Sequence, residues 1–325
     1  TRESEDVKPY LQELNFEKVE VPFPIEFEEI RVLLKRIYDS KVEQLKKRHL
    51  LFVPANKITL LKLQSSLAQQ ASPRNFNALI GMSLCAQAIK ISHGIELLET
   101  QTLSCLDIYL QGLIQQAKEK KSKGVQTIVN SPDFQAALLS LQQLRKNKTE
   151  HPKISVLAEI IKEEIKNNPK AKIMIFSQFR ETASTIAKKL NEIQNIKAAI
   201  FIGQAKKLNQ GLSQKEQKAV IEQFKLGGIN VLCATSIGEE GLDIPEVNAV
   251  IFYEPIPSAI RKIQRAGRTA RLFPGKLIIL ITKDTRDVQH HYASGARERK
   301  MHKTIHNIKE EMKNNKKIKT LNEFK

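Results

Sequence analysis

The chain has 325 residues, with 53 Lys and Arg against 35 Asp and Glu and a formal net charge of +18 at pH 7. This length suits two domains, each large enough for its own hydrophobic core. Residues 151–325 hold 32 of the basic and 18 of the acidic residues, which indicates a polyanionic partner for the second half. The acidic start and the lack of any run of 18 apolar residues are not typical of a signal peptide or membrane anchor, so no membrane partner is expected. Three scattered cysteines form neither a disulfide framework nor a metal cluster, which is typical of a reducing compartment.

The first half of the chain reads as helical after a short strand. Residues 16–21 alternate apolar and charged side chains and predict that strand, and prolines then end it. From 25 to 146 the apolar residues recur at helical spacing, and residues 79–98 are apolar almost all round, which predicts the buried centre of a bundle. Ser131, followed by a proline, predicts the start of another helix. We therefore predict a connecting segment over 1–24 and a helical insertion domain over 25–146.

After residue 150 the pattern alternates between helices and strands, as expected for a parallel sheet with helices on its faces. A helix begins near Pro152, another covers 181–190, and the capping box of Ser213 and Glu216 opens a third. Short apolar runs predict the strands, at residues 172–176, 197–202, 229–233, 249–252 and 276–281. The sequence thus predicts an α/β domain over 147–325 with a basic C-terminal helix.

One run in this domain carries chemistry. The residues from Gln264 to Arg271 read Gln-Arg-Ala-Gly-Arg-Thr-Ala-Arg, and we expect Arg268 and Arg271 to project side by side from a short helix, with Gln264 one turn upstream. Paired guanidinium groups suit the oxygens of a transferring phosphoryl group. Taken alone, such a run also fits an exposed basic turn that binds no phosphoryl group.

Further runs give this pattern a family context. The segment Ala234–Pro245 and the Gln264–Arg271 run resemble motifs V and VI of superfamily 2 helicases. The runs 175–182 and 252–258 resemble one family among them, the archaeal Hef helicase-nucleases and their relative, the Fanconi anaemia complementation group M translocase. The similarity is dense from about residue 150 to 310. It implies that the α/β domain is the second RecA-like helicase domain and that the helical domain is a thumb-like insertion that binds DNA.

The resemblance also implies a role in ATP hydrolysis. Arg268 and Arg271 become arginine fingers that reach the γ-phosphate, an effect worth roughly 10³–10⁵ in rate in systems of this kind. Gln264 would orient the nucleotide or the attacking water, and Gly267 would let the loop approach closely.

The resemblance also implies roles in the nucleotide site for the end of motif V and for a bound metal ion. Gly241 is implied to permit the tight turn there, and Asp243 to face the ribose or couple to motif VI. No G-x-x-x-x-G-K-[ST] or D-E-x-H run occurs. ATP and Mg²⁺ are therefore expected to be held mainly by a first RecA-like domain lying before residue 1, and the isolated chain is expected to be inactive.

Two groups of residues are candidates for nucleic-acid binding. Thr235 and Ser236 follow a strand at its carboxyl end, where hydroxyl and free backbone N–H groups suit a phosphate. By resemblance to motifs IV and IVa, four further residues line the same track: Gln178, Arg180, Gly203 and Gln204. In the insertion, a basic series offers further contacts, although such a run also fits an ordinary solvated helix face: Lys41, Lys46, Lys47, Arg48, Lys57 and Lys62.

Forked or branched DNA is the partner that the resemblance implies, in repair and stalled-fork processing. A C-terminal nuclease domain of the same polypeptide and a sliding clamp are further partners it allows, and the expected location is the nucleoid-associated cytoplasm of an archaeal-type cell. A double-stranded RNA helicase of the Dicer or innate-sensor type shares these motifs and is the alternative among enzymes. For the isolated chain, a non-catalytic DNA-binding module is the alternative from another class.

Overall fold

The structure, a computed structural model, describes residues 13–72, 74–204, 211–238, 243–270 and 274–322, without the side chains of residue 306 and of 309–322. The described chain divides into two compact units. One unit comprises the residues up to 20, 160–183 and those from 190 onward, and the other comprises 21–159 and 184–189.

The second of these units is built around a helical bundle. Its helices are α1 Ile25–Lys47, α2 Lys57–Gln70, α3 Phe76–Thr100, α4 Leu103–Lys118, α5 Lys123–Val129 and α6 Pro132–Lys146. Side-chain caps begin five of them, because an oxygen of the residue before each helix accepts a backbone N–H of its first turn. The capping residues are Asn56, Asn75, Thr102, Ser122 and Ser131.

Helix α3 is the centre of this bundle, as its apolar sequence predicted. It packs against α1, α2, α4 and α5, and its inward side chains include Leu84, Ala88 and Leu98. By length and composition alone α3 could cross a membrane, but 56% of its most apolar window is buried within the protein. Its apolar character is therefore explained by its place in the core.

The other unit contains a six-stranded sheet. Its strands are β1 Leu14–Val21, β2 Ile173–Phe176, β3 Ala198–Phe201, β4 Val231–Ala234, β5 Ala249–Phe252 and β6 Gly275–Thr282, in the order β1-β6-β5-β2-β4-β3. The five strands from β6 to β3 pair in parallel. The remaining helices of the chain are α7 Lys153–Asn167, α8 Arg180–Leu190, α9 Gln214–Leu226, α10 Ala259–Ala266 and α11 Arg286–Asn322.

The short central strands are fully buried, which is why they read as continuous apolar runs. On one face of the sheet, Met174 and Phe176 of β2 belong to a core that also includes Ile221 and Phe224 of α9. The predicted fold class, a RecA-like parallel sheet domain with an all-α helical domain, is confirmed. The parallel arrangement also brings the carboxyl ends of β5, β2, β4 and β3 to one edge, which we call the carboxyl edge.

Candidate functional site

The carboxyl edge collects the residues predicted to form a nucleic-acid track. Gln178 and Arg180 follow β2, Gly203 and Gln204 follow β3, and Thr235 and Ser236 follow β4, and these three strands are neighbours. A Cβ atom built on Gly203 would lie 3.4 Å from Nη2 of Arg180, so the guanidinium group extends over this glycine. Gln178, Gln204 and Ser236 are exposed. The structure thus brings all six predicted residues to one edge of the sheet.

Hydrogen bonds fix the backbone where the strands end. The N–H of Ser177 donates to the carbonyl of Ala234 over 3.0 Å, and the N–H of Gln178 donates to Oε1 of the buried Glu254. The N–H of Thr235 donates to the carbonyl of Phe201 over 3.2 Å. The expectation of a free backbone N–H at Thr235 is therefore wrong, because that donor completes the β3–β4 ladder.

The second predicted group lies on α10 and the turn after it. Ser258 caps the helix, which ends at Ala266, and Gly267 is its C-cap residue. Gln264 lies on the helix and is partly exposed, whereas Arg268 lies beyond the helix end and is 9% exposed. The prediction that the arginine pair projects from one helix is therefore wrong for Arg268. Arg271 lies outside the described residues.

Contacts with Val247, two residues before β5, and with the first residue of β6 hold the turn that carries Arg268. The N–H of Val247 donates to the carbonyl of Arg268 over 3.1 Å, and the Thr269 hydroxyl donates to the carbonyl of Val247 over 2.5 Å. Ala270 has a φ of 57°, in the left-handed region. A Cβ atom on Gly275, the first residue of β6, would lie 2.0 Å from the Thr269 hydroxyl oxygen. The glycine at 275 therefore allows the turn to lie directly against the start of β6.

Arg265, which was not predicted as a site residue from the sequence, is among the largest fully buried side chains. Its Cζ lies 4.8 Å from the centroid of the Phe176 ring at the end of β2. On the same helix Ile260 and Ile263 are exposed, so α10 turns a charged residue inward and apolar ones outward. This reversed amphipathic pattern in a short helix is the signal that could have found Arg265.

The start of motif V meets the same aromatic ring. The 3₁₀ turn Ser236–Gly238 follows β4, and a Cβ atom on Gly238 would lie 2.5 Å from Cε of Met174 and 3.0 Å from Cε1 of Phe176. The turn after β4 and helix α10 therefore converge on Phe176, two residues before Gln178. Gly241 lies outside the described residues.

Asp243 is exposed and pairs with Lys225 of α9. The two charged groups approach to 2.6 Å, and the hydrogen bond from the Lys225 ammonium lowers the pKa of the Asp243 carboxyl. Asp243 is therefore ionised and accessible.

Arg268, just beyond the end of α10, carries a guanidinium group and therefore fits an anionic group better than a cation. Guanidinium groups donate to phosphate oxygens, whereas Mg²⁺ takes oxygen ligands, often carboxylates. Within the described ranges, no three His, Cys, Asp or Glu side chains are close enough together to hold a metal ion. The Arg268 guanidinium has the chemistry of a hydrogen-bond donor to phosphate, whereas that of Arg265 is enclosed against Phe176.

In the helical unit, Lys41, Lys46, Lys47 and Arg48 lie toward the C-terminal end of α1, and Lys57 and Lys62 lie on α2. Lys46 and Lys47 are in the last turn of α1 and are exposed, and Nη1 of Arg48 donates to Oδ1 of Asn77 over 3.3 Å. Basic residues are also favourable at a helix C-terminus for electrostatic reasons, which is the plain structural account of those on α1.

Comparison with known proteins gives these sites a context. Residues 152–273 match the family described as "Helicase conserved C-terminal domain", and residues 26–148 match "Putative ATP-dependent RNA helicase, helical bundle". The crystal structure of the Pyrococcus furiosus Hef helicase domain superposes with a TM-score of 0.73 at 38% sequence identity, covering 90% of this chain and 60% of that one. The chain belongs to the Hef and Fanconi anaemia group M family of superfamily 2 helicases.

Two curated relatives extend this similarity along most of the chain. "Putative ATP-dependent RNA helicase MJ1505" of Methanocaldococcus jannaschii is 35% identical over 310 residues, covering 95% of this chain and 38% of the relative. The mouse "Fanconi anemia group M protein homolog" is 31% identical, covering 87% of this chain and 16% of the relative. This Hef-type chain therefore spans well under half the length of either.

Proposed function

We propose that this chain is the part of an ATP-dependent, structure-specific DNA helicase or translocase that acts on forked or branched DNA during repair and stalled-fork processing. A first RecA-like domain with the Walker motifs would precede it in the complete protein and would hold most of the contacts to ATP and Mg²⁺. The observation that carries the proposal is the convergence of α10, the turn after β4 and the end of β2 on Phe176. This convergence connects α10, the helix that precedes Arg268, to the end of β2, which leads to Gln178 and Arg180 at the carboxyl edge.

Bound ATP with Mg²⁺ supplies a phosphoryl group that develops charge on its oxygens as it transfers. In the proposal, Arg268 and Arg271 contact those oxygens, and the packed turn around Thr269 keeps Arg268 oriented. Gln264, Gly267, Gly241 and Asp243 complete the nucleotide-facing set. Because Arg265 and Gly238 both pack on Phe176, a shift of α10 or of the turn after β4 would be transmitted to Gln178 and Arg180.

On the nucleic-acid side, the six carboxyl-edge residues would contact phosphates and position a strand without reading its sequence. Lys46, Lys47 and Arg48 would add contacts from the insertion. Several relatives are named DNA helicases, including mph1 of Neurospora crassa at 30% identity over 298 residues, and this favours DNA. The relative from Methanocaldococcus jannaschii is named an RNA helicase, which keeps double-stranded RNA as the second candidate substrate.

The remaining parts of the proposal concern the whole protein. They are a nuclease domain later in the same polypeptide, a sliding clamp as partner, a nucleoid-associated cytoplasmic location, and inactivity of this chain when it is separated from the first domain.

Binding of this chain to four matched substrates tests the proposal. The substrates are a fork, a linear DNA duplex, single-stranded DNA and a double-stranded RNA, each at two salt concentrations. We expect the tightest binding to the fork, with affinity falling steeply as salt rises because phosphate contacts release counterions. Tighter binding to double-stranded RNA than to the fork would overturn the DNA assignment, and equal affinity for the four would overturn structure specificity.

A further inference from the structure

The helical bundle exposes large apolar side chains on α2 and on the segments that flank it. Phe52, between α1 and α2, is 80% exposed, and Phe76, the first residue of α3, is 70% exposed. Smaller apolar neighbours in sequence are also exposed: Val53, Ile58, Leu61 and Leu79. Single exposed apolar residues are ordinary, but a group that includes two aromatic rings marks a binding surface. We call the C-terminal end of α1, the 48–56 segment, α2 and the first turn of α3 the bundle tip.

Direct contacts hold these segments together. The hydrogen bond from Arg48 to Asn77 joins the end of α1 to the start of α3. A Cβ atom on Gly81 would lie 2.6 Å from Cδ1 of Leu50, so the segment that carries Phe52 lies against the first turns of α3. The Tyr38 hydroxyl donates to the carbonyl of Ala55 over 3.2 Å and fixes the far end of that segment. The two exposed rings are thus presented by an ordered scaffold.

The bundle tip is rich in basic residues, two of which pair with carboxylates: Lys47 with Glu43 over 4.0 Å and Lys57 with Glu96 over 3.5 Å. Between residues 41 and 95 the only acidic residue is Glu43. The basic residues in that stretch are Lys41, Lys46, Lys47, Arg48, Lys57, Lys62, Arg74 and Lys90. The cores of protein–protein interfaces are depleted in lysine, whereas basic surfaces with exposed aromatic rings are typical of single-stranded nucleic-acid binding. The charge therefore favours a nucleic acid over a protein partner.

We propose that Phe52 and Phe76 stack on unpaired nucleobases of DNA while Lys46 and Lys47 hold the adjoining phosphates. The inference rests on the proposed function and adds the chemical basis of its structure specificity. Bases inside an intact duplex stack on each other and leave no face for a protein ring. The rings can therefore engage only a single strand, or a junction at which base pairs have opened, and the bundle tip distinguishes a fork from a linear duplex.

Tryptophan fluorescence tests the stacking directly, because the chain contains no tryptophan. Phe52→Trp and Phe76→Trp each place one reporter at the bundle tip, and Leu139→Trp places a control on α6, at a side chain that is 65% exposed. Single-stranded and forked DNA should quench both reporters, blunt duplex should not, and the control should not respond to any of them. Wild-type binding to the same labelled substrates is followed in parallel by fluorescence anisotropy.

Alanine variants supply a second readout. Phe52→Ala and Phe76→Ala should each weaken binding to single-stranded and forked DNA by about 5- to 150-fold, the range for loss of one stacked base, and should leave blunt-duplex affinity unchanged. The slope of log affinity against log salt should stay as in the wild type for both, whereas Lys46→Gln should reduce it by about 0.7 on a single strand. Circular dichroism confirms that each variant is folded.

The outcomes separate the two proposals. Fork binding with no quenching of either reporter and unchanged affinity of the alanine variants would overturn base stacking and leave the proposed function standing. Quenching by single-stranded RNA but not by DNA of the same sequence would overturn the DNA assignment of the bundle tip. An absence of DNA binding by the wild type would overturn the proposed function itself.

Discussion

Arg265 of α10 lies over the ring of Phe176, with its Cζ 4.8 Å from the ring centroid, and it is 2% exposed. A desolvated cation over an aromatic face is stabilised by about 2 kcal/mol or more, which partly offsets the cost of burying the charge. The contact joins the helix that precedes Arg268 to the last residue of β2. Helix α10 is thus in direct contact with the end of β2, two residues before Gln178 at the carboxyl edge.

A double-mutant cycle should detect this contact. Arg265→Met removes the charge at similar length, and Phe176→Leu removes the ring. We expect the free energies of unfolding of the two variants and their combination, from urea denaturation, to give a coupling of about 1–2 kcal/mol. Phe176→Leu alone should be the more damaging change, because it leaves the buried charge without the ring. Strict additivity of the two changes would contradict the stacking.

The buried His151 should make the stability of the helical unit depend on pH. Burial and the neighbouring charge of Lys153 lower the pKa of His151 to about 3, and its ring packs 5.8 Å from that of Phe27. An unfolded histidine titrates near pH 6.5, so between pH 6.5 and 3 the unfolded chain binds one more proton than the folded chain. Stability should therefore fall as the pH drops through this window, by about 2 kcal/mol between pH 7 and pH 5.

Urea denaturation at several pH values measures the loss. His151→Gln should flatten the dependence over pH 5–7, and His49→Asn, which changes an exposed histidine, should preserve it. A wild-type chain whose stability is constant from pH 7 to pH 5 would refute the assignment.

Gly275 should be intolerant of a side chain. An added Cβ would lie 2.0 Å from the Thr269 hydroxyl oxygen and 2.8 Å from the backbone nitrogen of Ala270, so Gly275→Ala must displace the turn after Arg268. Overpacking of this kind costs about 1–3 kcal/mol. Gly112→Ala is a matched control, since nothing lies within 4 Å of its added Cβ, and alanine there should stabilise α4 by up to about 1 kcal/mol. Melting temperatures should therefore shift in opposite directions, and equal shifts would contradict the packing described.

Arg180 should contribute one phosphate contact if the carboxyl edge binds a strand. Arg180→Gln should weaken single-stranded DNA binding in a sequence-independent way and reduce the salt slope by about 0.7. Lys300→Gln on α11 removes the same charge from an exposed position and should leave the slope unchanged. Titrations at four salt concentrations compare the two variants. An unchanged salt slope for Arg180→Gln would show that Arg180 makes no phosphate contact at the carboxyl edge.

Local sequence signals predicted the helices and strands because each signal depends on residues that are close together in the sequence. The capping serine at 131 and the capping box at Ser213 both form as expected, and the strand predicted at 249–252 has those bounds in the structure. The strand predicted at 229–233 begins instead at Val231. There the N–H of Ile229 donates back to the carbonyl of Gln223, so the chain is still turning after α9.

Burial by residues that are distant in the sequence could not be predicted from the local pattern. The reversed pattern of α10 signals an inward charge, but it does not reveal that Phe176, 89 positions earlier, is the residue that covers Arg265. In the same way, no local signal marks the apolar Phe52 and Phe76 as exposed, and only the structure shows that they are. The carboxyl-edge set was predictable because strands of a parallel sheet end on the same side.

ATP hydrolysis by the complete protein, with the first RecA-like domain joined to this chain, shows whether Arg268 acts as an arginine finger. The measurement compares fork-stimulated turnover of the wild type, of Arg268→Ala, and of Arg261→Ala, which removes an exposed arginine from α10. We expect Arg268→Ala to lower the turnover rate by a factor of roughly 10³–10⁵, fork binding without nucleotide to persist, and Arg261→Ala to remain close to the wild type. Wild-type turnover by Arg268→Ala would contradict the arginine-finger assignment and the motor function built on it.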